Sequence, residues 1–499
     1  MSVNKIHLNF KHFIVFLLLT SLLCTAVASC GSASDTSSKL TSTDTTTADT
    51  VEETTDRLYA DVPTQDFGGY TFNALYWFNS GWPWRNSKDI YAEEASGDTI
   101  ADAVYTRNLA ISEKYNVKFE LTEKSYDQLG SVLTKCVKAG DDVYTIVCQV
   151  QGSALTMITS GDLYDISQIP YVNLENPWWD QNSVSGYSIA HRVYLVASDI
   201  TINDKDGTAA IAFNKQAATD NQLPDLYAMV RDGSWTIDNM YDTYKNVARD
   251  VNGDSKMNEE DFYGFIGGRD VPATFFQGGG AMIISKDADD IPFISFKSDQ
   301  NFSLAQRLFE LVKQTDIFYD HHIMGTDDAA YQKLFEENHG LYFWMRLDAV
   351  SDMRSSETEF GILPIPKYTE DQDSYHCVVS VHTSSLMSVP VVTQNFERTG
   401  ILLEALAAES KYTLMHAYYD VALKTKYSRD DESSEMLDII FANRVFDLGE
   451  LINPGGVRDL ILYMSDKKSY DIASAYAKIE KTAAKQLDKT VTKIEDLAE

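Results

Sequence analysis

Trp77 and the segment Asn79-Ser-Gly-Trp-Pro-Trp84 place three indoles in one short stretch. An indole offers a flat apolar face that stacks on a sugar ring and an N–H that reaches a hydroxyl. A loop carrying Trp82 and Trp84 is costly unless its rings are buried or used. Trp77, Trp82 and Trp84 are therefore either platforms for a ligand or packing beneath the loop. Gln149 and Gln151 supply the complementary chemistry, since an amide both donates to and accepts from hydroxyls. They close an apolar run, 143–150, that reads as a buried strand, and the ends of such strands are where α/β sheets meet ligands. Signs of covalent chemistry are weak. The chain has no His-Glu-x-x-His, no Gly-x-Ser-x-Gly and no Walker loop, and its 74 acidic residues make any chosen carboxylate pair uninformative.

The amino terminus sets the compartment. Lys5 and Lys11 precede an apolar core at 13–23, too short to cross a bilayer comfortably, so it reads as the central region of a secretory signal. Val27-Ala28-Ser29-Cys30 resembles the lipobox of bacterial lipoproteins. That resemblance implies removal of 1–29 and lipidation of Cys30, which anchors the chain to a membrane it does not span; an ordinary signal cleaved near Ser29 is the alternative. The net charge of −32 becomes about −34 once Lys5 and Lys11 are lost. Such a surface repels phosphate backbones and excludes nucleic acid as a partner. Cys24 goes with the signal and Cys30 carries lipid, leaving Cys136, Cys148 and Cys377. Three cysteines in so long a chain point to a fold held by its core, with no disulfide expected and Cys148 a small buried hydrophobe.

Residues 30–66 are dominated by Ser, Thr and Asp and predict a disordered stalk behind the lipidated cysteine. Folding is expected from Phe67. A strand at 71–78, a helix at 100–114, a strand at 117–121, a helix at 126–139 and the strand at 143–150 follow in order. Later come a strand at 208–213, a helix from Thr236, strands near Leu341 and Phe360, and helices at 397–409 and 473–487. This alternation predicts an α/β chain of mostly parallel sheets flanked by helices, long enough for two lobes.

Several stretches together resemble the extracellular solute-binding proteins of ABC importers, in the carbohydrate-type group that includes maltose-binding protein. Gly97-Asp-Thr-Ile-Ala-Asp-Ala-Val-Tyr-Thr-Arg-Asn108 with Lys114-Tyr-Asn-Val117 is similar to their first helix and second strand. Ala212-Phe-Asn-Lys215, Gly233-Ser-Trp-Thr236 and Phe360-Gly-Ile-Leu-Pro-Ile-Pro366 are similar to later landmarks, in the same order. The resemblance implies a type II two-lobe periplasmic-binding-protein-like fold with a ligand cleft between the lobes. The crossings fall near Ile211, Val379 and Phe446, giving a first lobe of 67–210 plus 379–445 and a second of 211–378 plus 446–499. It further implies a monomer without enzymatic activity that captures a solute, an oligosaccharide from the aromatic content, and delivers it to ABC permease subunits. Trp344 and Arg346 fall where such proteins present an aromatic to the cleft, and Asp199 and His382 lie near crossings. A secreted glycoside hydrolase, or another carbohydrate-active surface lipoprotein, is the alternative reading.

Asp250-Val-Asn-Gly-Asp-Ser-Lys-Met-Asn-Glu-Glu-Asp261 resembles a calcium loop of the EF-hand or dockerin type. The resemblance assigns oxygen ligands to Asp250, Asn252, Asp254, Asn258 and Asp261, with the Lys256 carbonyl, around a structural Ca²⁺. Ser255 stands where glycine is usual and Asp261 where a longer glutamate is usual. An acidic, turn-rich loop without an ion is the alternative.

Overall fold

The structure is a computed structural model that describes residues 57–79, 89–427 and 430–497. Cys30, Trp82 and Trp84 lie outside the described residues.

In chain order the strands are β1 (Tyr70–Phe78), β2 (Val117–Ser125), β3 (Ile146–Val150), β4 (Leu163–Tyr164), β5 (Ala209–Asn214), β6 (Tyr263–Gly267), β7 (Ile284–Lys286), β8 (Pro292–Ile294), β9 (Phe318–Asp320), β10 (Gly340–Arg346), β11 (Phe360–Leu363), β12 (Cys377–Val378), β13 (Ser385–Pro390) and β14 (Arg444–Val445). Their β-branched and aromatic runs are buried almost continuously, as strands covered on both faces must be. The helices between them begin and end on local signals. Asp98 accepts from the amides of Ile100 and Ala101 to start Thr99–Tyr115, and Asn116 ends it in the left-handed conformation. Gly140, also left-handed, ends Tyr126–Ala139.

Two five-stranded sheets result, in the orders β2-β1-β3-β13-β4 and β9-β6-β10-β5-β11. The two orders are equivalent. In each sheet one strand pairs in parallel with two neighbours, β1 with β2 and β3, and β6 with β9 and β10. The next two pairings are antiparallel, through β13 in the first sheet and β5 in the second. Each parallel set of three strands is the part that the strand–helix alternation expects. The antiparallel member of each sheet is the strand that arrives from the other lobe. Aromatic packing fills the second core, where Phe265 meets Phe318 at 5.5 Å and Phe275 at 5.8 Å between ring centroids. Cys136, Cys148 and Cys377 are free thiols.

Three connecting stretches run side by side between the lobes. Thr208 bridges Val379, β12 pairs in parallel with β14, and the Ser380 amide donates to the Gly207 carbonyl at 3.0 Å. A buried ionic clamp fixes them: Arg444 donates to Asp204 at 2.7 Å and to Asp180, and Lys205 pairs with Asp204 at 3.2 Å. Buried charges persist only when paired in this way.

Two expected boundaries need correction. The stalk reading does not hold for 57–66, which is packed on the body. Arg57 pairs with Glu409, the Leu58 amide donates to the Tyr412 hydroxyl at 2.7 Å, and Ala60 and Val62 rest against the core. A few apolar contacts in a polar stretch suffice to order it. The Asp431–Ala442 helix, expected with the first lobe, lies along the edge of the second sheet. There Ser433 accepts from the Ile362 amide at 3.1 Å, and Arg231 pairs with Glu435 at 2.7 Å. Among the described residues no helix is long and apolar enough to cross a membrane.

Candidate functional site

The carboxyl ends of the parallel strands converge on the connecting stretches, and the polar residues that end them form the site. β10 contributes most. Strand alternation puts Trp344 and Arg346 on one face and Phe343 and Met345 on the other. Trp344 is 5% exposed and its indole N–H has no partner. Arg346 pairs with Asp348 at 3.2 Å, yet Arg346 Nε and Asp348 Oδ1 are also buried without a partner. Folded chains leave few such atoms because each forfeits its bonds to water, so a group of them marks a place where something else bonds.

A narrow pocket lies against this strand end, lined by Asp270, Gln277, Trp344 and Arg346 from the second lobe and by Ser380 and His382 from the second connecting stretch. Its volume is about 40 Å³, far below the ~300–1,000 Å³ of small-molecule sites. On the other face of β10, Tyr331, Met345, Arg346 and Asp348 line a hollow of about 390 Å³. Arg346 joins the two spaces.

The end of β3 in the first lobe reaches the same connecting stretch from its other side. The Gln151 side chain is fully buried, its Oε1 accepts from the Tyr187 hydroxyl, and its Nε2 has no partner. The Gln151 amide donates to Ser384 at 3.0 Å and the Gly152 amide to Val381 at 2.9 Å, which ties this strand end to the second connecting stretch. Thr383 and Ser384 add buried hydroxyls without partners.

Burial raises several acids around the site. Asp206 accepts from the Tyr418 hydroxyl at 2.8 Å and is pushed up to about 8, by burial first and by the like charge of Asp348 second. Glu450 rises to about 7 by burial, with its neighbour Arg458 opposing the rise. Asp447 rises to about 6 by burial, while Gln277 donates to it at 2.7 Å.

The other sequence candidates are scattered. Trp77 is buried inside the first sheet, 1% exposed, with its indole N–H unpartnered. Gln149 is spent internally: its Nε2 donates to Tyr126 at 3.1 Å and its Oε1 accepts from the Val150 amide at 3.0 Å. Asp199 lines a separate hollow of about 390 Å³ with Lys205, Lys411, Tyr418 and Arg444, and burial raises it to about 6. His382 is exposed on the rim of the narrow pocket. Three further indoles are structural. Trp178 and Trp179 donate to Glu404 at 3.0 and 2.9 Å, and Trp235 donates to the Pro364 carbonyl at 2.9 Å.

The acidic loop lies before β6, at the opposite strand end from the cleft. Asp250 accepts from the amides of Gly253 and Ser255 at 2.6 and 2.7 Å, Asn252 from Asp254 at 3.0 Å, and Asp254 from Lys256 at 2.8 Å. Asp261, buried at the base, accepts from Val251 and Asn258 at 2.8 and 2.9 Å, and Asn258 accepts from Glu260 at 2.8 Å. Ser255 adopts φ of +66°, the conformation that glycine usually supplies at this position of such a loop.

Sequence reasoning missed Asp206, Asp270, Gln277, Tyr331 and Asp348. The strand-end rule that selected Gln149 and Gln151 would have found Asp270, had it been applied to the Gly267-Gly268 end of β6.

Solved structures share this fold. An ABC substrate-binding protein of Listeria monocytogenes in complex with cycloalternan matches with a TM-score of 0.51 at 9% identity, covering 86% of this chain and 98% of that one. UspC of M. tuberculosis gives 0.53 at 11%, covering 83% and 100%. A family 1 extracellular solute-binding protein from Bifidobacterium longum subsp. infantis gives 0.53 at 13%, covering 85% and 99%. At these identities the likeness is one of fold: the type II two-lobe architecture, over nearly the whole of each neighbour. No protein-family profile matches the sequence, and no curated protein matches it.

Proposed function

We propose that this chain is an extracytoplasmic solute receptor that holds an oligosaccharide between its lobes and presents it to the permease of an ABC importer. The observation that carries this reading is the set of buried, unpartnered polar atoms at the ends of the equivalent strands β3 and β10: Gln151 Nε2 on one lobe, Trp344 Nε1, Arg346 Nε and Asp348 Oδ1 on the other. An indole face with a ring of amide, guanidinium and carboxylate groups suits a polyhydroxylated ligand. A pocket of about 40 Å³ admits none, so the lobes part to load it and close when contacts to both are made. Lipidation of Cys30 tethers the body, and the receptor works as a monomer without altering its ligand.

A thermal-shift screen of the exported chain against a glycan panel tests the reading. At least one oligosaccharide is expected to raise the melting temperature and to be recovered intact by chromatography. Stabilisation by no glycan would remove the sugar assignment, and cleavage products would favour the glycoside hydrolase. The acidic loop is proposed as a separate structural Ca²⁺ site, with Asp250, Asn252, Asp254, Asn258, Asp261 and the Lys256 carbonyl as ligands. Ca²⁺ at about tenfold above its Kd then adds about 1.4 kcal/mol to the EDTA-treated protein. In differential scanning calorimetry, Asp250→Ala should abolish that gain.

A further inference from the structure

The outermost parallel strand of the second sheet ends in a cluster that the transport reading does not use. β9 finishes at Asp320, in register with Gly267 of β6, and the next two residues are His321 and His322. One carboxylate oxygen and one nitrogen from each imidazole lie within 4.8 Å of one another. Asp320 is 1% exposed. Its Oδ1 accepts from the His322 amide at 3.0 Å, while Oδ2 is buried and bonded to nothing. A carboxylate oxygen held in that state is costly unless a cation or donor completes it.

The first imidazole is already oriented. His321 Nδ1 lies 3.0 Å from the Gly267 carbonyl, which can only accept, so Nδ1 carries the proton and the ring is held in place. Metal-binding histidines are fixed in this manner, with the outer N–H on a backbone carbonyl. Tyr331 stacks flat on the ring, 4.2 Å between centroids and 6° between planes. Gly268 makes the space: a Cβ there would collide with the His321 ring and come within 3.1 Å of His322 Nδ1. Arg269, the neighbouring cation, is turned to Asp466 at 3.3 Å and lies over Tyr463.

We propose that Asp320, His321 and His322 bind one divalent transition-metal ion of the zinc or cobalt type, leaving open positions toward the cleft. Two imidazoles and one carboxylate suit that class, whereas Ca²⁺ and Mg²⁺ prefer oxygen alone. Bonds of about 2.1 Å require donor separations of about 3.4 Å in a tetrahedral site, so the exposed His322 turns inward on loading. The site adjoins the proposed ligand cleft through Tyr331, which also lines the hollow beside β10.

The test uses the exported chain stripped with EDTA, Zn²⁺ alone in isothermal titration calorimetry and Co²⁺ alone in visible absorption. One ion per chain and tetrahedral Co²⁺ bands are expected. His322→Ala and Asp320→Asn should each weaken Zn²⁺ binding at least about tenfold, with melting temperatures in EDTA close to wild type. If Asp320→Asn does not fold, the exposed His322→Ala carries the test. Absence of heat and of Co²⁺ bands, or an ion retained at wild-type affinity by His322→Ala, would overturn the assignment. No sugar or permease enters the measurement, so it stands apart from the transport reading.

Discussion

The two lobes follow the same strand order but spend their polar side chains differently. At the end of β3 in the first lobe, Gln149 satisfies both ends of its amide on neighbouring backbone, and Gln151 keeps one end for Tyr187. The first lobe also locks Trp178 and Trp179 on one buried carboxylate, Glu404. At the end of β10 in the second lobe, Trp344, Arg346 and Asp348 each keep a buried atom unbonded. Gln151, Thr383 and Ser384 keep unbonded atoms on the first-lobe side as well, so the difference lies in grouping: Trp344 and Arg346 share one strand end and line one pocket. We propose that the second lobe supplies most of the affinity and that the first lobe completes the closed state.

The strongest way to break that asymmetry is Trp344→Ala. It should cost about 2–3 kcal/mol of affinity, roughly a hundredfold, for whichever glycan stabilises the wild type, read by isothermal titration calorimetry. An unchanged Kd would move recognition away from β10. Gln151→Ala sharpens the first-lobe side and should cost about 1–1.5 kcal/mol, close to tenfold. Gln149→Ala should leave the Kd alone and lower the melting temperature instead, because its amide bonds are all internal. Equal effects of the two glutamine variants on binding would contradict the assignment.

The least local effect is on pH. Asp206, Glu450, Asp447 and Asp199 are raised to about 8, 7, 6 and 6, chiefly by burial. In the unfolded chain these carboxyls titrate near 4. Between about pH 4 and 8 the native state therefore binds more protons than the unfolded state, and stability falls as pH rises through that window. Thermal melts at pH 5.5 and 8 should show the lower melting temperature at pH 8. Asp206→Asn, which cannot ionise, should flatten the slope; an unchanged slope would remove Asp206 as its source.

Much of the fold is legible in local sequence. The apolar spacing of 100–114 predicts a helix observed at Thr99–Tyr115, and 126–139 is observed as Tyr126–Ala139. Pairing between distant strands is not legible in this way. Nothing local in 385–390 says that β13 inserts antiparallel beside β3, because that pairing joins residues more than two hundred positions apart. The site divides along the same line. Trp344 and Arg346 stand out as residue types at a strand end, whereas the fates of Gln149 and Gln151 depend on Tyr126 and Tyr187, which the fold brings to them. The Asp348 effect on Asp206 and the stacking of Tyr331 on His321 are likewise products of the tertiary structure.

The central claim is that two lobes close on one solute. Small-angle X-ray scattering of the exported chain, free and saturated with a stabilising glycan, tests it most directly. The radius of gyration should fall on saturation for the wild type and stay at the free value for Trp344→Ala under the same conditions. A radius unchanged by a glycan shown to be bound would contradict closure of the lobes around a ligand.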